Sequence, residues 1–124
     1  MSIYTKIGDT GKTTFFGCGP LQKNDCRIEA LGTLDELNSV IGLAMSFIED
    51  RELQRDLHEI QNDLFQVGAD VAGSALIGSS LPRVTEEYIH KLEQRIDELE
   101  EKLGMPKKFI LPGGTKASAF LHLC

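Results

Sequence analysis

Residues 50–71, DRELQRDLHEIQNDLFQVGADV, decide the fold class of this 124-residue chain. Apolar side chains recur in this stretch at steps of three and four, which is the period of one helix face. They are Leu53, Leu57, Ile60, Leu64, Val67 and Val71. Asp50 stands just before the pattern, and aspartate is a preferred helix N-cap. The stretch predicts a helix that follows Asp50 and packs inward along its length.

Another helix is predicted on the N-terminal side of this stretch. Residues 33–36, TLDE, match a capping box, in which Thr33 accepts from the Glu36 amide and Glu36 reaches back to the Thr33 amide. The first helix is therefore expected to begin at Thr33. Its apolar positions follow at helical spacing: Leu34, Leu37, Ile41, Ala44, Met45 and Ile48.

Two more helices are predicted on the C-terminal side. Residues 73–82 are rich in glycine and serine and predict a loop, after which Thr85 is expected to cap a third helix that ends at Gly104. Its apolar stripe is Tyr88 or Ile89, Leu92, Ile96, Leu99 and Leu103. Residues 107–111 are expected to be extended, residues 112–114 to turn, and residues 117–124 to begin a last helix. The pattern predicts one all-α domain, an antiparallel helical bundle, over residues 1–124.

Residues 1–27 predict a non-helical N-terminal arm. They show no helical period, and their glycines favour turns and short extended pieces. The arm carries a net charge of +2, whereas the remainder of the chain carries −8. An anionic ligand would be drawn to the arm, although a charge imbalance of this size also arises by chance.

The stretch Gly8–Thr14, GDTGKTT, is the first candidate for ligand binding. It contains Gly-Lys-Thr, but the first glycine of a P-loop would fall on Lys6, so the P-loop NTP hydrolases are disfavoured. Glycines still allow backbone N–H groups to converge on an anion, lysine adds charge, and threonine hydroxyls can contact phosphate or a metal. The stretch therefore predicts either a phosphate loop or a plain glycine turn.

Several other classes of function are excluded or disfavoured. The net charge of −6 argues against a general nucleic-acid binder. No apolar stretch is long enough to span a membrane, and no secretory signal is evident. The three cysteines lack CxxC spacing, which fits a reducing cytoplasm. The scattered histidines predict no metal site, and no nucleophile–base pair predicts a catalytic residue.

Two further features remain open at this point. Residues 109–114, FILPGG, are typical of a buried run and a corner, but the glycine pair would also admit a large flat ligand. Asp35 is not needed for helix capping, so it is free to pair with an arginine elsewhere.

Three blocks together resemble the PduO-type ATP:cob(I)alamin adenosyltransferases. The blocks are residues 4–13, residues 23–42 and residues 109–114, and they occur in the order found in that family. The resemblance implies a five-helix bundle that assembles as a homotrimer with active sites between subunits. It also implies transfer of the 5′-deoxyadenosyl group of ATP, bound with Mg²⁺, to the cobalt of cob(I)alamin, with release of triphosphate. A cobalamin reductase is the implied partner, and the chemistry requires no protein nucleophile.

The resemblance also implies roles for individual residues. The expected ATP-binding residues are Thr5, Lys6, Ile7, Gly8, Thr13, Thr14 and Lys23. Phe109 matches the aromatic residue that closes the lower face of the corrin ring. Asp35 matches a carboxylate that pairs with an arginine across the subunit interface.

That arginine belongs to a stretch which follows a Leu-His element in the family, and this chain ends at Cys124, just before it. We therefore expect residues 1–124 to be a C-terminally incomplete copy of the adenosyltransferase domain. The alternative is a degenerate, non-catalytic helical module that binds corrinoid or mediates oligomerisation.

Overall fold

The computed structural model describes residue 4 and residues 6–15, 18–73 and 83–124. A short 3₁₀ turn, Ile7–Thr10, precedes strands β1 (Lys12–Phe15) and β2 (Cys18–Gln22). Four helices follow: α1 (Cys26–Met45), α2 (Arg51–Gly73), α3 (Glu86–Leu103) and α4 (Lys116–Leu121). The predicted all-α bundle with a non-helical arm is confirmed. Of the predicted loop 73–82, residues 74–82 lie outside the described residues.

The start of α1 differs from the prediction. The helix begins at Cys26, and Asp25 is its N-cap, with a side chain that accepts from the Arg27 amide. Hydrogen bonds from Arg27 hold the pKa of Asp25 below its ordinary value. Thr33 is an interior residue whose hydroxyl donates to the Glu29 carbonyl, 3.1 Å away. The capping-box prediction was wrong because an equally good cap, eight residues earlier, starts the helix first.

Helices α1 and α2 form an antiparallel pair that contains the core. Ile41 and Ala44 of α1 and Leu57 of α2 are its buried apolar side chains among the described residues. A reciprocal pair of polar contacts joins the two helices. Asn38 Nδ2 donates to the Gln61 carbonyl at 3.2 Å, and Gln61 Nε2 donates to the Asn38 carbonyl at 2.9 Å. Each side chain is thus bonded to the backbone of the other helix, which fixes the register of the pair.

Asn38→Ala is expected to lower the free energy of unfolding by about 1 kcal/mol, because it removes one half of this reciprocal pair in a partly buried interface. Urea unfolding measures the change. Asn62→Ala is the matched control, since exposed Asn62 donates to the His58 carbonyl of its own helix and, among the described residues, joins no other helix. Equal losses in the two variants would contradict a special contribution from Asn38.

The predicted start of α2 is confirmed. The Asp50 carboxylate accepts from the Leu53 amide at 2.9 Å. Thr85 occupies the N-cap position of α3 as predicted, but its side chain makes no capping hydrogen bond. Gly104 ends α3 with a positive φ of 72°, a conformation that glycine adopts without strain.

Ion pairs link α3 to α2. Arg95 Nε lies 2.7 Å from Asp56 Oδ2, and Arg95 also contacts Glu52 at 3.0 Å and Glu98 at 2.8 Å. Lys102 Nζ lies 3.1 Å from the same Glu52. These contacts run antiparallel along the two helices. The predicted apolar stripe of α3 is largely exposed, as at Ile96 with 55% of its surface accessible, so polar contacts dominate this junction.

Acid is expected to weaken the α2–α3 junction. Hydrogen bonds from Lys102 and Arg95 lower the pKa of Glu52, and one from Arg95 lowers the pKa of Glu98. Folded values below the ordinary 4.5 mean that the stabilisation is complete above that pH and is lost as pH falls through the folded values. Urea unfolding between pH 7 and pH 3 should therefore show a shallower acid loss for Arg95→Ala than for the parent protein.

Arg55→Ala supplies the control for this acid effect, since Arg55 is exposed and its nearest carboxylate, Asp56, is 4.0 Å away. Its pH profile is expected to follow that of the parent. Identical acid profiles for the parent and Arg95→Ala would refute the proposed contribution of the α2–α3 ion pairs to the acid dependence of stability.

The segment between α3 and α4 carries no regular secondary structure. Residues 107 and 108 form a bend, so the prediction of an extended run over residues 107–111 is only partly met. Gly113 and Gly114 take positive φ values of 131° and 99°, as the predicted turn requires. Thr115 caps α4 by accepting from the Ser118 amide. None of the helices described here is long and apolar enough to cross a membrane.

Candidate functional site

The arm is an antiparallel β-ribbon. Thr13 pairs with Leu21 and Thr14 pairs with Pro20, with a bulge after Thr14. Successive residues of a strand point to opposite faces. Thr13 and Leu21 are half-buried, while Thr14 is exposed. The two threonines predicted to contact phosphate therefore present their hydroxyls on opposite sides of the ribbon.

The loop before β1 has a backbone suited to an anion. Lys6 has φ 61° and ψ 0°, and Gly11 has φ 80° and ψ 10°, so both are left-handed residues that flank the right-handed 3₁₀ turn. Alternation of left- and right-handed residues turns consecutive N–H groups toward one concave side, which favours negative charge. Hydrogen bonds from Asp9 N to Lys6 O and from Gly11 N to Gly8 O, both 3.3 Å, close the turn.

Lys23 follows β2 at the end of the ribbon that adjoins this loop. Its amide donates to the Gly11 carbonyl at 2.9 Å. Its ammonium lies against Gly8, where an added Cβ would be only 3.3 Å from Nζ. The structure thus brings together Lys6, Gly8 and Lys23, three of the residues predicted to bind ATP. Ile7 lies in the same turn with an exposed side chain, and Thr5 lies outside the described residues.

Tyr4 has no role predicted from the sequence. The Lys6 ammonium lies 5.6 Å from the centre of the Tyr4 ring, within the range of a cation–π contact. The signal in the sequence was an aromatic residue two positions before a lysine. The contact gives the Lys6 side chain a preferred direction.

Asp35 lies on α1, about 14 Å along the axis from the first residue of the helix. Its carboxylate is exposed and forms no ion pair within the described residues. It borders a groove between α1 and α2 together with Asn38 and the exposed ring of Phe65. A carboxylate in this position is accessible to a cation from outside the chain.

Phe109 lies in the segment between α3 and α4, and its side chain is fully exposed, at 107% of the reference surface. Its ring therefore packs against no described part of the chain. The structure does not bring Phe109 and the arm into contact within one copy.

The loop has oxygen atoms that could bind a metal ion, but no preformed metal site lies among the described residues. Among the described residues, no group of three histidine, cysteine, aspartate or glutamate side chains could hold a metal ion. Asp9 and the two threonines offer the oxygen atoms that Mg²⁺ prefers when it arrives on a nucleotide.

Comparisons with known proteins identify the family. The profile of the cobalamin adenosyltransferase family matches residues 3–124. The corrinoid adenosyltransferase of Citrobacter freundii is 42% identical over 122 residues, covering 98% of this chain and 69% of the relative. The Bacillus subtilis corrinoid adenosyltransferase is 41% identical, covering 99% of this chain and 64% of the relative. The chain thus spans about two thirds of the length of these relatives.

A solved structure agrees. A variant PduO-type ATP:corrinoid adenosyltransferase from Lactobacillus reuteri, complexed with cobalamin and ATP, superposes with a TM-score of 0.89 at 40% identity, covering 98% of this chain and 67% of that chain. The resemblance inferred from the three sequence blocks is confirmed. This chain belongs to the cobalamin adenosyltransferase family, whose relatives named above are enzymes.

Proposed function

We propose that this protein transfers the 5′-deoxyadenosyl group of ATP to the cobalt of cob(I)alamin, giving adenosylcobalamin and triphosphate. The observation that carries the proposal is the loop at Lys6–Gly11, whose left-handed ends and adjoining Lys23 ammonium would suit a polyanion. The relatives' names support the enzyme over a non-catalytic corrinoid-binding or oligomerisation module.

The reaction makes modest demands on the protein. The electron pair of Co(I) forms the new bond to the ribose C5′, the C5′–O bond breaks, and triphosphate leaves with that bonding pair. No side chain needs to act as nucleophile or base. The protein must align two substrates and stabilise the negative charge that develops on the leaving group. Lys6 and Lys23 supply positive charge for the second task, together with backbone N–H groups of the loop.

Mg²⁺ would accompany the triphosphate. The Asp9 carboxylate and the hydroxyl of either Thr13 or Thr14 are oxygen atoms of the arm that could complete its coordination. Bound there, the ion would neutralise part of the charge on the phosphates. Because the two threonines face opposite ways, we propose that one contacts the nucleotide and the other is free to serve the ribbon itself.

We assign Phe109 to the corrinoid. An exposed aromatic ring with no partner among the described residues is available to cover the lower corrin face, where it would exclude an axial ligand from cobalt. The glycine pair that follows, with positive φ values, allows the backbone to turn away from a bulky ligand.

We further propose that the protein works as a homotrimer in the cytoplasm, where a cobalamin reductase supplies Co(I). Asp35, unpaired within the described chain, would meet an arginine of a neighbouring subunit, the one that the family carries after the position of Cys124. The free thiols of Cys26 and Cys124 fit a reducing compartment. Sedimentation equilibrium tests the assembly, and a mass other than three protomers would contradict it.

The activity is tested by absorbance spectroscopy. Cob(I)alamin, generated chemically under anaerobic conditions, is mixed with the protein, ATP and Mg²⁺, and the spectrum should convert to that of adenosylcobalamin. Samples without ATP or without protein serve as controls. Corrinoid binding without conversion would support the non-catalytic module and refute the enzyme.

A further inference from the structure

An aromatic pair joins α4 to the end of α1. The rings of Phe47 and Phe120 are stacked, with centroids 5.7 Å apart and planes inclined by 15°. The Lys116 ammonium lies 5.3 Å from the centre of the Phe47 ring. Both contacts fall within the range of favourable aromatic and cation–π geometry. We refer to Phe47, Phe120 and Lys116 as the aromatic anchor.

The anchor is fixed firmly on the α1 side. Phe47 lies two residues beyond the end of α1, and its amide donates to the Ala44 carbonyl at 3.0 Å. Ala44 is fully buried in the helix pair. The Phe47 ring thus projects from a packed part of the bundle, so its position depends little on α4.

Helix α4, in contrast, depends on its partner. It has six residues, which is far too short for a helix to be stable alone in water. The segment before it, residues 104–115, is exposed throughout except for half-buried Gly113. Such a segment has almost no packing of its own, so its position follows from the helices at its two ends. Phe109 lies within it, six residues before the Thr115 cap.

We propose that the aromatic anchor is a positioning site for the corrinoid substrate, acting through the segment that carries Phe109. This role rests on the proposed function. When the anchor is weakened, α4 leaves α1 more often and Phe109 spends less time at the corrin face. The apparent affinity for corrinoid then falls in proportion to the fraction of correctly placed segment. ATP, held by the arm, should be unaffected.

Steady-state kinetics of the Phe47→Leu variant provide the test. We expect the KM for cob(I)alamin to rise about fivefold, while the KM for ATP changes by less than about twofold. Phe47→Tyr retains a ring that can stack and should restore the parent value. Lys116→Met leaves the stack intact and should give a smaller rise in the same direction.

Tyr88→Leu is the matched control, because Tyr88 also carries a lysine ammonium over its ring, that of Lys91 at 5.9 Å, but lies on α3. It is expected to leave both KM values unchanged. Equal rises in the KM for ATP and for corrinoid in Phe47→Leu would overturn the positioning role.

Hydrogen exchange without ligands separates this inference from the proposed function. The Ser118 and Ala119 amides donate to Thr115, so their exchange reports the integrity of α4. In Phe47→Leu we expect both amides to exchange about fivefold faster. An active parent protein whose corrinoid KM is unchanged by the mutation, despite faster exchange, would overturn the positioning role alone. An inactive parent protein would overturn the proposed function, and this role with it.

Discussion

Phe109→Ala is expected to lower turnover of cob(I)alamin by about a hundredfold, the size of loss that follows when a reacting group is held out of place. The side chain is fully exposed, so its removal costs the fold almost nothing. Its proposed task is to cover the lower corrin face, and alanine leaves that face open to water. ATP binding should remain close to that of the parent, since the arm does not contact Phe109 in this chain.

Single-turnover absorbance measurements and ATP titrations together test this prediction. Phe109→Leu is the graded variant, because it keeps apolar bulk but loses the flat ring, and it should retain more activity than alanine. Circular dichroism should report the same helical content in all three proteins. A loss of ATP affinity as large as the loss of turnover would show that Phe109 serves the nucleotide instead.

Lys6→Ala is expected to weaken ATP binding by about ten- to a hundredfold, which corresponds to the loss of a charge-assisted hydrogen bond. Lys6 begins the loop with a left-handed backbone, and alanine imposes the same backbone cost as lysine. The substitution therefore removes the ammonium while keeping the shape of the loop. Helical content should not change, because the arm lies outside the helix pair.

Isothermal titration with ATP measures the effect of Lys6→Ala. Lys91→Ala removes the same charge from α3, outside the arm, and as a screened charge remote from the loop it should cost no more than about threefold. If the two variants bind ATP equally well, attraction by overall charge, rather than local contact, explains binding to the arm. If Lys6→Ala binds like the parent, the phosphate site lies elsewhere.

Signals confined to a few neighbouring residues could be predicted from the sequence. The Asp50 cap and the Gly104 stop each depend on one turn of chain, and the apolar face of α2 depends on a repeat within one helix; the structure contains all three. The start of α1 shows the limit of such signals. Thr33 and Glu36 form a valid local motif, yet Asp25 offers a competing cap whose carboxylate also binds Arg27. A local sequence pattern does not show which of two possible N-caps starts the helix when both can form the capping hydrogen bond.

Contacts between distant residues could not be predicted. Asn38 and Gln61 are 23 positions apart, and Arg95 and Asp56 are 39 positions apart, so no spacing rule connects them. The exposure of the α3 stripe was equally hidden, because a periodic apolar face indicates a helix but not what covers it. The three sequence blocks identified candidate site residues. That Thr13 and Thr14 point in opposite directions could not be predicted, because it depends on how β1 pairs with β2.

The reciprocal Asn38–Gln61 contact limits how far α2 can shift along α1, and this affects the proposed position of Phe109. The segment that carries Phe109 is a bridge between α3, which moves with α2 through Arg95, and α4, which moves with α1 through Phe47. A slide of α2 along α1 by one residue, about 1.5 Å, would therefore stretch or slacken that bridge. Misplacement of about 1 Å already suffices to slow a reaction a hundredfold. By resisting such a slide with two hydrogen bonds, the Asn38 and Gln61 amides would hold constant the length available to the proposed corrinoid segment, which neither of them touches.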